Sequence, residues 1–345
     1  MAKSPHEASV EDEIKDTSMG APHVVLLGAG ASRAAFPQGD RNGKALPLMA
    51  DFVQHLGIGD YLREAGVPSD TTNFETAYST LVGDPRGSDI REELETRIYE
   101  YFRSLEMPDS PTIYDHLLLA MRPKDVIATF NWDPFLLEAV QRNNRVLKGR
   151  VPALLFLHGN VAAGFCPKDR VHGFRGAVCS KCKEPMRGVP LLYPIAAKNY
   201  ENDPSIAASW AFMKLALKKT FMFTVFGYGA PSSDTAALSL LREAWGDVEK
   251  RSLEQTEIID IRPKEELAKT WEPFIHTHHY ETHDDFFDSW IAKHPRRSGE
   301  AYWNQYMMAK FISNNRIPKG GSLEELWDWY QPLFEAEQSQ GDERL

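Results

Sequence analysis

Five short apolar runs constrain what this chain can fold into. They are Val24–Leu27, Val126–Phe130, Leu154–Leu157, Phe221–Phe226 and Ile258–Ile261. Each is nearly continuous in apolar residues rather than alternating. A strand reads this way when helices cover both of its faces, the condition of a parallel sheet. A weaker sixth run is Phe274–His278. Helical patterns lie between the runs, at Asp133–Val140, Ala208–Lys219 and Asp234–Trp245. Strands alternating with helices predict an α/β fold: a Rossmann-like open parallel sheet with helices on both faces.

Two segments interrupt the alternation. Residues 44–122 contain no convincing strand and read as several helices, with Ile90, Leu94, Ile98, Tyr101 and Phe102 at helical spacing. Residues 163–190 are short, Cys- and Gly-bearing and poor in apolar periodicity. Both are expected as insertions that build a smaller helical and Cys-containing subdomain. Residues 1–22 are acidic and end in Gly20-Ala21-Pro22, which predicts a flexible tail. The main domain is then 23–298. Residues 299–345 read as helical and aromatic-rich, with Tyr302, Trp303, Tyr306, Trp327, Trp329, Tyr330 and Phe334 offering either a surface for a partner or packing against the sheet.

Composition narrows the function classes. Asp and Glu number 49 against 39 Lys and Arg, and a net charge of −10 argues against broad binding of nucleic-acid phosphates. The uncharged stretch Thr220–Ser233 is shorter than the roughly 18 apolar residues of a membrane span. Glu7, Glu11, Asp12, Glu13 and Asp16 stand where a secretion signal would need apolar residues. Three cysteines exclude a disulfide framework, so a reducing, cytoplasmic setting is expected.

Polar or glycine groups follow each strand. Gly28-Ala29-Gly30-Ala31-Ser32 comes after the first, and glycines at a strand-to-helix turn let backbone amides approach a pyrophosphate. Arg33 occupies the place of the third glycine of the dinucleotide pattern. Asn131 and Asp133 follow the second strand, and side chains there point into the ligand crevice of an open sheet. Asp133 before Pro134 also fits a helix cap. His158, beside Gly159 at the end of the third strand, is either structural or a proton acceptor. Gly227, Tyr228 and Gly229 follow the fourth strand, where the glycines give a phosphate or ribose access to backbone and Ser233 or Asp234 can cap the next helix. Asp260 ends the fifth, the position at which an acid accepts hydrogen bonds from a ribose; solvation at the surface is the other reading. In the Cys insert, Cys179 and Cys182 form a C-x-x-C pair with Cys166 upstream; His172 or Asp169 is a fourth candidate ligand for zinc, against three ordinary thiols.

Taken in order, Gly28–Ser32, Thr129–Asp133, Leu157–Gly159, the insert Cys166–Cys182, Gly227–Gly229 and Asp260 resemble the sirtuin superfamily over residues 23–290. That resemblance implies an NAD site in which Gly28, Ala29, Gly30 and Ser32 anchor the pyrophosphate. Asn131 orients ribose and water, Asp133 contacts the nicotinamide amide or holds its loop, and His158 is the base. The sequence departs from the protein-deacylating sirtuins. Phe130 stands where they carry Gln, and Gly188–Pro194 lacks their peptide-pairing strand and has two prolines, which cannot donate to a ladder. The departures resemble the branch of NAD hydrolases in bacterial antiphage defence. That branch implies NAD as substrate, release of nicotinamide and ADP-ribose, and control by a protein partner (an ATPase or an Argonaute-type protein) or by self-assembly. An NAD-dependent protein deacylase and a non-catalytic sensor of NAD or an ADP-ribose-type nucleotide are the alternatives. A Rossmann oxidoreductase would leave Asn131 and His158 unexplained.

Overall fold

The computed structural model describes residues 6–68, 71, 73–83, 88–194, 199–231 and 234–340. Its centre is a six-stranded sheet: β1 (His23–Leu27), β2 (Val126–Thr129), β3 (Ala153–Phe156), β4 (Met222–Phe226), β5 (Gln255–Ile259) and β6 (Tyr280–His283). The spatial order is β6-β5-β4-β1-β2-β3 and every pairing is parallel. The four inner strands are buried along their whole length, whereas the edge strands β3 and β6 are partly covered. Continuous apolar runs thus mark the strands with helices on both faces, where each buried Val, Leu or Ile contributes about 1.5–3 kcal/mol. The expected α/β class is the one observed.

The sixth strand is displaced from its expected place. Phe274 belongs to a 3₁₀ turn and fills the core, while β6 begins at Tyr280. The sheet reverses its order between β1 and β4, so a crevice opens there beyond the carboxyl ends of the strands. The helices that follow these strands are α1 (Ala29–Ala35) after β1, α2 (Phe135–Leu147) after β2 and α3 (Thr235–Trp245) after β4. A helix at Pro204–Lys219 runs in toward β4.

Among the described residues of 44–122 the main elements are the helices Phe74–Gly83, Ser88–Arg103 and Ile113–Leu119. The Cys insert is instead a small antiparallel sheet of Ala163–Cys166, Val171–Phe174 and Arg187–Gly188. Of the expected flexible tail 1–22, the described residues 6–22 are ordered against the rest of the fold, contrary to what their acidity predicts. Val10–Lys15 is a helix with a Ser9/Asp12 capping box, and Glu13 is buried 2.9 Å from His294. The C-terminal segment is partly helical: Leu323–Gln340 buries Leu326, Tyr330, Leu333 and Phe334, while Trp303, Tyr306, Met308 and Phe311 stay exposed. Within that helix Glu337 is fully buried against Arg296 (2.6 Å) and Arg297 (2.7 Å). Arg297 also donates to the Ile14 carbonyl at 2.8 Å. No helix among the described residues is long and apolar enough to cross a membrane.

Candidate active site

A cavity of about 560 Å³ opens at the switch point. Its lining includes Gly28, Ala29, Gly30, Ser32, Asn131, Asp133, His158, Gly227, Tyr228, Gly229 and Asp260. Five strand ends therefore meet at one space, although the residues are distant in sequence.

The two glycine turns interlock. A Cβ on Gly28 would lie 2.5 Å from the Tyr228 Cα, and one on Gly227, whose φ is +62°, 2.1 Å from the Ala31 nitrogen. Only glycine allows this approach. It also changes the expected role of the amides. The Gly28 N–H donates to the Phe226 carbonyl and the Gly30 N–H to the Gly227 carbonyl, both at 2.9 Å. These two donors hold the turns together and are not free for a pyrophosphate. Of the three amides expected there, Ala29 alone makes no hydrogen bond among the described residues.

Ser32 is likewise a hub rather than a phosphate donor. Its hydroxyl donates to Asp133 Oδ2 at 2.6 Å, lies 2.7 Å from the Tyr114 hydroxyl and accepts from Asn131 Nδ2 at 2.8 Å. Asn131 Nδ2 also donates to the Gly28 carbonyl at 2.8 Å. A carbonyl only accepts, so this contact fixes the orientation of the amide. Oδ1 of Asn131 takes no hydrogen bond among the described residues, and it is the group the amide can offer to a ligand.

Asp133 is not the expected helix cap: the helix Phe135–Leu147 has Pro134 at its N-cap, with no side-chain cap. From one residue earlier, Asp133 Oδ1 accepts the Phe135 N–H at 3.3 Å, and its side chain lines the cavity. Burial pushes its carboxyl up to about 6, against the hydrogen bonds from Ser32 and the Phe135 amide. Asn160 steadies the loop by donating to the Asp133 carbonyl at 2.5 Å.

His158 is 6% exposed, with the Phe130 ring 4.4 Å away and its Nε2 3.1 Å from the Tyr200 hydroxyl. Tyr228 donates to Asp234 at 3.0 Å, so Asp234 serves that hydroxyl and makes no side-chain cap. Ser233, the other expected cap, lies outside the described residues. Asp260 is not a bare acceptor for a ribose. Arg262 holds both of its oxygens, through Nε at 3.1 Å and Nη2 at 2.9 Å.

The Cys insert gathers Cys166, Asp169, Cys179 and Cys182, with their ligand atoms all within 4.8 Å of one another. Three thiol sulfurs and a carboxylate are a donor set that suits zinc. His172 is not part of it. In the hairpin Phe165 pairs with His172 and Cys166 with Val171, so His172 shares the face of Phe165, opposite to Cys166. Its Nε2 instead lies 3.4 Å from the Ser209 hydroxyl.

Sequence reasoning missed Tyr114 and Tyr200, which stand outside the motifs and reach them only through the fold. It also missed Trp132, which lines the cavity among Phe52, Phe102 and Tyr193.

No family model matches this chain, and no curated protein matches it. Solved structures similar to it include a Sir2 homologue in complex with NAD, at 12% identity and a TM-score of 0.38, covering 88% of this chain and 96% of that one. Another is a Sir2 enzyme at 14% identity and TM-score 0.39, with 87% and 97% covered. A third is Sir2Tm bound to a propionylated peptide, at 15% identity and TM-score 0.31, with 73% and 85% covered. Likenesses this distant say nothing of activity; the chemistry of the cavity has to.

Proposed function

We propose that this chain hydrolyses NAD at the bond between nicotinamide and ribose, giving nicotinamide and ADP-ribose. The observation that carries the reading is the single cavity shared by Asn131, Asp133, His158 and the paired glycine turns. Nicotinamide is cationic in NAD, so it leaves neutral and needs no acid. The barrier lies in an oxocarbenium-like ribose, as in glycoside hydrolysis. Such a reaction needs the substrate anchored, the water placed and one proton removed. The Ala29 amide and the Gly227–Gly229 turn serve as the anchor. Asn131 Oδ1 accepts a hydrogen bond from the attacking water or a ribose hydroxyl, and His158 takes the proton, a role worth about 10²–10⁴ in rate. Asp133, through Ser32, keeps Asn131 in place.

Water as acceptor, rather than an acyl-lysine peptide, is favoured by the stretch Val189–Pro194. The Val189 N–H donates to Ala163 and the Leu192 N–H to the His158 carbonyl, at 3.0 and 2.8 Å. Tyr193 stacks on Tyr78 and donates to the Glu95 carbonyl at 3.0 Å. This stretch is bound to its own chain, with prolines at 190 and 194, and offers a peptide a poor edge.

Cys166, Asp169, Cys179 and Cys182 would hold a zinc ion, which when bound ties the ends of the small sheet together and takes no part in the chemistry. An activity that drains NAD harms its own cell. The reading therefore includes restraint by a partner subunit or by self-assembly, with NAD depletion in antiphage defence as the setting.

The test is to incubate purified protein with NAD, with and without candidate partners, and quantify nicotinamide by chromatography. Asn131→Ala and His158→Ala are expected to lose at least about a hundredfold in release while keeping the parental circular dichroism spectrum. Release by His158→Ala at the parental rate would overturn the assignment, as would acyl-lysine turnover by the parent protein with no free ADP-ribose.

A further inference from the structure

Resting on the hydrolase reading, we infer that Tyr200 is a positioning residue that holds the His158 imidazole in one orientation through both of its protonation states. Nε2 of His158 and the Tyr200 hydroxyl are 3.1 Å apart, and the two rings are nearly parallel, at 8°. The contact falls at Nε2, the nitrogen through which the imidazole hydrogen-bonds, with the ring centroids 5.8 Å apart. Both side chains are about 95% buried, with Tyr200 at 5% and His158 at 6% exposed.

The support behind Tyr200 is built from the same strand that carries His158. The Tyr200 ring lies 4.7 Å from that of Trp210, whose indole N–H donates to the Leu157 carbonyl at 3.2 Å. Leu157 is the residue before His158. The strand end, the helix that carries Trp210, Tyr200 and the imidazole therefore close a ring of contacts. Phe130 covers the imidazole from the side of β2. Tyr200 itself is not among the cavity-lining residues, so it acts on His158 from behind and does not touch substrate.

A hydroxyl suits this position because its oxygen accepts a hydrogen bond. With Nε2 held by Tyr200, the proton taken in the reaction arrives at Nδ1, so the neutral imidazole carries its hydrogen on Nε2 and donates it to the Tyr200 oxygen. Once Nδ1 is protonated, Nε2 keeps the same hydrogen bond without movement of either ring. Burial, and after it the Asp234 carboxylate, push the Tyr200 phenol far above its ordinary range, so it remains a neutral hydroxyl at working pH. A base held this way loses little to rotation before each proton transfer, and orientation of this kind accounts for a substantial share of a general base's effect.

The experiment uses Tyr200→Phe, which keeps the ring and its contact with Trp210 and removes only the oxygen. Two readouts are taken on the full chain. In NAD turnover, kcat is expected to fall about ten- to a hundredfold with KM changed less than about twofold. By ¹⁵N-histidine NMR without substrate, with the signal assigned by its loss in His158→Asn, the His158 Nε2 resonance is expected to shift as its partner disappears. An unchanged kcat together with an unchanged Nε2 resonance overturns the inference. A lower kcat with an unchanged resonance also overturns it, because the loss then comes from packing. If the parent protein releases no nicotinamide, the hydrolase reading fails by itself, and the NMR comparison still decides whether Tyr200 holds His158.

Discussion

Ser32→Ala tests the hydrogen-bonded centre of the site in depth. In the folded protein Asp133 titrates at about 6 rather than 3.8, because burial outweighs its hydrogen bonds. A carboxyl raised in the folded state binds more protons there than when unfolded. Stability therefore falls as pH rises from about 4 to about 6, by about 3 kcal/mol for a shift of this size. The Ser32 hydroxyl, 2.6 Å from Oδ2, opposes that fall. A hydrogen bond to a charged acceptor is worth about 1.5–3 kcal/mol and one to a neutral group about 1 kcal/mol. Removing it therefore raises Asp133 by roughly one further pKa unit and widens the falling window toward pH 7. Urea denaturation at pH 5 and pH 8 measures the effect. The variant is expected to lose about 1–2 kcal/mol more, relative to the parent, at pH 8 than at pH 5. The bonds from Tyr114 and Asn131 to Ser32 are lost equally at both values, and other titrating groups cancel between variant and parent. An equal loss at the two pH values would refute the reasoning, because Asp133 would then carry no charge that Ser32 supports.

Two other perturbations probe parts of the molecule distant from that network. Burial works against the Glu337 charge, but Arg296 and then Arg297 outweigh it and hold the carboxyl down at about 2. A depressed carboxyl stabilises above its unfolded pKa of about 4.5, and the effect is lost as pH falls toward 2. Glu337→Gln should accordingly cost about 3–5 kcal/mol at pH 7 and much less at pH 2.5, read from denaturant midpoints. For the Cys insert, protein purified with zinc is expected to hold about one ion by plasma mass spectrometry, to lose it in Cys179→Ser or Asp169→Ala, and to keep it in His172→Ala; retention in Asp169→Ala would remove Asp169 from the ligand set.

The parts of this fold that were legible in the sequence are those whose burial is complete. The four inner runs announce themselves because strands covered on both faces cannot alternate, and the run Leu154–Leu157 is legible at an edge because Leu155 and Phe156 are buried there. The edge strand Tyr280–His283 has no apolar run because it is only half covered, and the apolar Phe274 nearby misleads by filling the core from a turn. The N-terminal helix is hidden for a different reason: it docks through a carboxylate, Glu13 on His294, and through backbone, so its acidity reads as solvation. At the site, the rule that ligands bind beyond strand ends located Asn131, Asp133 and His158. It could not tell which amides were already engaged, since the bonds from Gly28 and Gly30 depend on how closely two turns approach. Nor could spacing choose between Asp169 and His172. That depended on hairpin register, which turns His172 to the face opposite Cys166.

The guanidinium of Arg297 has a consequence for how the chain matures. It bonds to the Ile14 carbonyl near the beginning and to Glu337 near the end, deep inside the protein. Before the helix Leu323–Gln340 is made, Arg296 and Arg297 lack the carboxylate they pair with, and the helix Val10–Lys15 lacks a settled seat on Arg297. A premature stop anywhere before Glu337 should therefore unsettle Val10–Lys15 as well as Leu323–Gln340.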